Sequence, residues 1–226
     1  MSTSAPSEAP IYLLWTDLET TGLDEKRDRI LEVAWAITDL DLELVGEPKV
    51  HLIGQDDWLD FFNYWRNDVD RVVQDMHQEN GLFEAIQEEG VSNLDRAYLD
   101  LRQDLEAIYE RYPNAEVHLA GRSVHFDRGF LLANEFDSLF YARGTERKPL
   151  ISHRVLDVRS IRTFLENMGG LTIPVAPPQG PEHRALSDVM GDIRLLKGAR
   201  ALLLTAFPHP PVMVKESPAD PIYLIG

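Results

Sequence analysis

Apolar and polar positions fall into two rhythms along this chain. IYLLW (Ile11 to Trp15) is an unbroken β-branched, aromatic and aliphatic run, which predicts a buried strand. ILEVAWAITD (Ile30 to Asp39) predicts a second strand, and LELVGEPKVHLI (residues 42–53) a third. The short connections between them predict an antiparallel meander. From Trp58 to Tyr112 the spacing turns helical, and NLDRAYLDLRQDLEAIYERY puts Leu94, Tyr98, Leu101, Leu105 and Ile108 on one face. AEVHLAGRS then predicts a fourth strand, with the helical FDRGFLLANEF directly after it. RVLDV predicts a fifth strand, followed by the helical RSIRTFLENM, a Gly/Pro-rich loop (GGLTIPVAPPQGPE) and the long helix HRALSDVMGDIRLLKGARALLL. Three meander strands followed by alternating helices and strands predict an α/β fold with one mixed five-stranded sheet and helices on both faces. No repeat interrupts it. Residues 1–10 read as a disordered leader, 11–206 as one domain and 207–226 as a Pro-rich extended tail.

Acids stand where the first strand ends, in WTDLETTGLD. Side chains alternate along a strand, so Asp17 and Glu19 share a face and Leu18 takes the other. Two adjacent carboxylates repel each other, and burial adds a desolvation cost unless positive charge sits between them. Asp127 follows the fourth predicted strand, and Asp188 lies early in the last helix with His183 five positions before it. Asp192 is one helical turn beyond Asp188, an exposed helix acid or a neighbour of the others. In such a sheet the strand ends and the helices that follow them converge on one edge. Carboxylates gathered there need a counter-charge. Hard oxygen donors without cysteine favour Mg²⁺ or Mn²⁺, and two such ions clamp the attacking and leaving oxygens of a phosphodiester. A histidine beside them is a natural general base for the attacking water.

DLETTGLD, GRSVHFDRGFL and HRALSD resemble the three exonuclease motifs of the DEDDh 3′-to-5′ exonucleases, from Ile11 to about Leu204. The resemblance implies a ribonuclease H-like fold, Asp17, Glu19, Asp127 and Asp188 as metal ligands, and His183 as the base. Within that family the chain is most similar to the oligoribonucleases. MHQENGL resembles their M-H-x-x-S-G-L, with Asn80 replacing serine; GRSVHFD resembles G-N-S-x-x-x-D, with Arg122 replacing asparagine; HRVLDVRSI resembles Y-R-Y-L-D-V-S. That branch implies that His77, Ser123 and Arg154 bind the 5′-phosphate of a very short RNA, that Leu23 wedges between bases, and that the chain forms a homodimer. His153 stands where the branch has tyrosine, and Arg159 where it has serine at the phosphate. Arginine forks onto phosphate, so Arg159 joins the expected substrate contacts.

Charge narrows the substrate. With 38 acids against 22 Lys and Arg the net charge is -16, so any basic stripe for a long nucleic acid must be local. Short single-stranded RNA is the expected substrate, with DNA as the second choice. The rivals are a proofreading-type or general single-strand DNA exonuclease, and a binding module that has lost catalysis. The chain has no cysteine, which excludes disulfides and thiolate metal sites and fits a reducing cytoplasm. No apolar run is long enough to span a bilayer. Several residues carry a structural alternative. His77 could orient a turn, Arg154 could pair with an acid, and Leu23 could pack on the core. Trp58, Phe61, Phe62 and Trp65 read as core or a subunit interface.

Overall fold

The computed structural model describes residues 9–55, 57–88, 91–141, 148–174 and 183–206. The proposed tail at 207–226 and all but the last two residues of the proposed leader lie outside them. Five strands form one sheet in the order β3-β2-β1-β4-β5. They are β1 (Ile11–Thr20), β2 (Ile30–Thr38), β3 (Lys49–Leu52), β4 (Glu116–Gly121) and β5 (Val155–Asp157). β1 pairs antiparallel with β2 and parallel with β4; β3 and β5 form the edges. The expected mixed sheet is therefore present.

Boundaries differ from the sequence reading in instructive ways. β1 runs through both acids rather than stopping at Trp15, because β2 supplies partners past Glu19↔Glu32 to Thr20↔Ile30. The third strand shrinks to four residues. Leu44 makes only an isolated bridge to Thr38, and Gly46 (φ 85°) with Pro48 breaks the extended run before Lys49. The helical stretch after Trp58 divides into α1 (Trp58–Asp68), α2 (Arg71–Glu79), α3 (Leu82–Ala85) and α4 (Leu94–Arg111). The side chains of Asp57, Asp70 and Asn93 accept backbone N–H bonds at the starts of α1, α2 and α4. Gly81, in the left-handed region, turns the chain between α2 and α3.

The rest follows as α5 (Val124–Ala133), α6 (Asp137–Phe140), α7 (Val158–Arg162) and α8 (Ala185–Ala206), with a π-helical segment, Thr163–Met168, continuing α7. Alternation along β1 sorts two cores. Tyr12, Leu14 and Leu18 pack with Leu101 and Leu105 of α4 and Phe130 of α5. Leu13 and Trp15 face the other way, against Val158 of α7 and Ala185, Val189 and Ile193 of α8. A third cluster joins Leu31 to Phe61, Trp65 and Phe83 of α1 and α3. Phe61 and Trp65 are thus core, whereas Phe62 is exposed.

This sorting positions the acids. Asp17 and Glu19 continue the Leu13–Trp15 side of β1, the side on which α8 lies. The first turns of α8 bring Asp188 and Asp192 to that strand end. Gly121 closes the neighbouring strand where a Cβ would meet the Thr16 carbonyl at 2.8 Å, so only glycine lets β4 lie this close beneath the site.

Candidate active site

Carboxylate oxygens of Asp17, Glu19 and Asp188 lie within 4.8 Å of one another. Among the described residues this is the one group of three with the spacing to hold a metal ion. All three line a cleft of about 540 Å³ together with Ser123, His183 and Asp192. Oxygen-only donors at this spacing fit a hard divalent cation.

The electrostatics agree. Burial, and then the charges of Asp127, Glu19 and Asp188, push the Asp17 carboxyl well above the ordinary carboxylate range. Burial, followed by Asp188 and Glu32, pushes Glu19 up to about 8. Asp127 also rises to about 8, chiefly by burial, although backbone N–H bonds oppose the shift. Such a cluster holds protons near neutrality unless cations replace them.

Asp127 occupies a different place from the other three. It is 2% exposed, and its Oδ1 accepts the Leu18 N–H at 3.1 Å. It stands beside the three-carboxylate group without being one of its members. Asp192, which the sequence left between solvent and site, is 3% exposed and lies 2.7 Å from Arg122 Nη2. His183 is exposed, lines the cleft and has a positive φ of 56°.

The expected phosphate contacts do not come together. Ser123 lines the cleft, with φ 59° at the start of α5. Arg159 lines an adjoining cavity of about 420 Å³ with Arg122 and Arg162. His77, however, is fully buried, and its Nε2–H donates to the Thr20 carbonyl at 3.0 Å. Burial pushes its imidazole below the ordinary value, and the ring anchors the end of β1 through that bond. Arg154 precedes β5 and pairs with Glu116, at the start of β4, at 2.8 Å. Glu116 and Arg154 lie at the far end of these strands from the carboxylates, whereas His77 meets β1 at their end but is enclosed by packing; neither His77 nor Arg154 lines the cleft. Leu23 is 83% exposed on the β1–β2 turn and neither packs on the core nor lines the cleft.

Other side chains escaped the sequence reading. Arg162 and Arg194 line the cleft beside Arg122, which the sequence marked only as a departure from the motif, and Arg194 Nε is buried with no hydrogen-bond partner among the described residues. Glu32, 1% exposed, takes a two-pronged contact from Arg184 (Nη2 at 2.7 Å, Nε at 3.1 Å from Oε1) and accepts the Ala185 N–H at 2.7 Å. It was visible as the one charge in ILEVAWAI, in register with Glu19.

No protein-family model matches the chain. It is 33% identical over 204 residues to an oligoribonuclease of Mycobacterium sp. (strain KMS), covering 88% of this chain and 83% of that protein. An oligoribonuclease of Corynebacterium glutamicum (strain R) is 30% identical over 207 residues, covering 88% and 82%. The human mitochondrial oligoribonuclease is 28% identical over 186 residues, covering 82% and 70%. Among solved structures, exonuclease I from Methylocaldum szegediense superposes with TM-score 0.57 at 20% identity, covering 88% of this chain and 43% of that one. The zinc-bound E. coli exonuclease I–single-stranded DNA complex gives TM-score 0.58 at 17% identity, covering 88% and 41%. The chain thus spans about two fifths of the exonuclease I chains, a likeness that establishes the fold alone. The identity and coverage shared with the bacterial relatives establish more: this chain belongs to the oligoribonuclease family of 3′-to-5′ exonucleases.

Proposed function

We propose that the protein is a cation-dependent 3′-to-5′ exonuclease that removes nucleoside 5′-monophosphates from short single-stranded oligonucleotides, RNA before DNA. The observation that carries this reading is the convergence of Asp17, Glu19 and Asp188 within 4.8 Å in a cleft that also holds His183. Asp17, Glu19 and Asp188 hold the ions, two Mg²⁺ or Mn²⁺, with Asp127 as the fourth carboxylate of the set. Bound there, the ions supply charge neutralisation at the reacting phosphate and activation of the attacking water. His183 accepts that water's proton. Arg194 lines the cleft beside Arg122 and Arg162, which are paired with Asp192 and Glu166, with Ser123 and Arg159 close by, and Leu23 is accessible to a base from the β1–β2 turn. The absence of cysteine fits a reducing cytoplasm, and the family likeness supports a homodimer.

A general single-strand DNA exonuclease would need positive surface beyond the cleft, which a net charge of -16 disfavours. Substrate length is therefore the test. Dinucleotides carrying a 5′-phosphate should give higher kcat/KM than 20-mers of the same base composition, and the affinity should depend only shallowly on salt. Equal efficiency on 20-mers, with a steep salt slope, would favour the general exonuclease.

A further inference from the structure

The backbone around His183 is gripped from two independent directions. From β2, Glu32 accepts both the Arg184 guanidinium and the Ala185 N–H. From the α2–α3 junction, Asn80 donates its side-chain amide to the His183 carbonyl. His183 itself sits at φ 56°, a conformation that a residue with a Cβ adopts at a cost and keeps only when its surroundings over-determine it.

A buried carboxylate at position 32 is a poor way to stabilise a core strand, since an apolar residue of similar size packs there without a desolvation penalty. Every other residue of ILEVAWAI is apolar. Glu32 is, however, the direct cross-strand partner of Glu19. Its carboxylate therefore ties the first residue of α8 to the strand pair that carries the acids, and so sets where Asp188 and His183 stand relative to Glu19. Asn80 adds a constraint that neither the sheet nor α8 supplies.

Resting on the assignment of His183 as the base, we propose that Glu32, Arg184 and Asn80 are positioning residues that hold His183 at the mouth of the carboxylate cleft. Asn80 acts on the histidine's carbonyl and Glu32 with Arg184 on the two residues that follow it, and none of the three touches substrate or metal. A base held in place by its main chain loses catalytic geometry when one latch opens, even though the fold and the acids remain.

The test is a double-mutant cycle between Asn80→Ala and His183→Ala, read as kcat, KM, Mn²⁺ affinity and thermal unfolding. His183→Ala alone should lower kcat by about a hundredfold to ten-thousandfold. Asn80→Ala alone should lower kcat by about tenfold to a hundredfold, with KM and Mn²⁺ affinity changed by less than about twofold. In the His183→Ala background Asn80→Ala should cost nothing further. Glu32→Gln should behave in the same way; if it fails to fold, the surface variant Asn80→Ala decides alone. An equal loss in both backgrounds, or unchanged turnover by Asn80→Ala, would overturn the positioning role and leave the histidine assignment standing. Near wild-type turnover by His183→Ala would overturn the assignment and the positioning role together.

Discussion

Arg122 Nη2 lies 2.7 Å from a carboxylate oxygen of Asp192, joining the end of β4 to the second turn of α8 across the mouth of the cleft. The two partners are unequal: the arginine side chain is 48% exposed and the aspartate 5%. Burial pushes the Asp192 carboxyl above its ordinary value, and Arg122 works against that shift. The pair thus keeps one acid of the cleft engaged by a protein cation, while Asp17, Glu19 and Asp188 face one another.

Removing the arginine leaves Asp192 buried without that partner. Arg122→Ala should destabilise the protein by about 1–3 kcal/mol, below the range for a fully buried pair because solvent already screens the exposed partner. Urea unfolding of the two proteins at neutral pH measures the difference. A variant as stable as the wild type would show that the pair contributes nothing net.

The three-carboxylate group should behave in the opposite way. Asp17→Asn removes a carboxyl whose ionised form is disfavoured by burial and by its neighbours in the folded state but not in the unfolded one, so at pH 8 and without divalent cations the variant should be more stable than the wild type by about 1 kcal/mol or more. It should also lose most of its activity and most of the stabilisation that Mn²⁺ gives the wild type. Thermal unfolding with and without Mn²⁺ reads both effects. A variant less stable than the wild type without cations, with its Mn²⁺ response intact, would dissociate Asp17 from the metal site.

Stability of the cation-free protein should fall as pH rises. Glu19 and Asp127 release their protons at about 8 in the folded chain, against ordinary values of 4.5 and 3.8, and Asp17 is raised as well. Between those limits the folded state binds more protons than the unfolded one, so unfolding becomes easier as pH climbs from the ordinary range towards 8. Unfolding free energies in EDTA across that window should decline, and saturating Mn²⁺ should remove the decline by displacing the protons. A stability that rises over the same window would contradict the raised values.

The mixed sheet, the two-sided helix packing and the gathering of acids at one strand end were legible because each rests on a local signal. Period-2 alternation put Asp17 and Glu19 on one face, and the turn of α8 put Asp188 and Asp192 together. What the sequence could not resolve was reach. His77 and Arg154 sit in segments that resemble phosphate-binding stretches, yet one is enclosed by packing beside Trp65 and the other is drawn to Glu116. Whether a side chain points into a cleft depends on neighbours distant in sequence. The same holds for Glu32 and Arg184, which are 152 residues apart. Their pairing exists only once α8 lies across β2.

The most direct measurement is a time course on a 5′-labelled RNA of about seven nucleotides, with Mg²⁺ or Mn²⁺ and again in excess EDTA, for wild type, Asp17→Asn and Asp188→Asn. The wild type should shorten the RNA one nucleotide at a time from its 3′ end, only with the cation, and both variants should leave the RNA nearly intact while remaining folded. Cleavage at internal positions, undiminished shortening in EDTA, or near wild-type shortening by either variant would contradict a cation-dependent 3′-to-5′ exonuclease built on these acids.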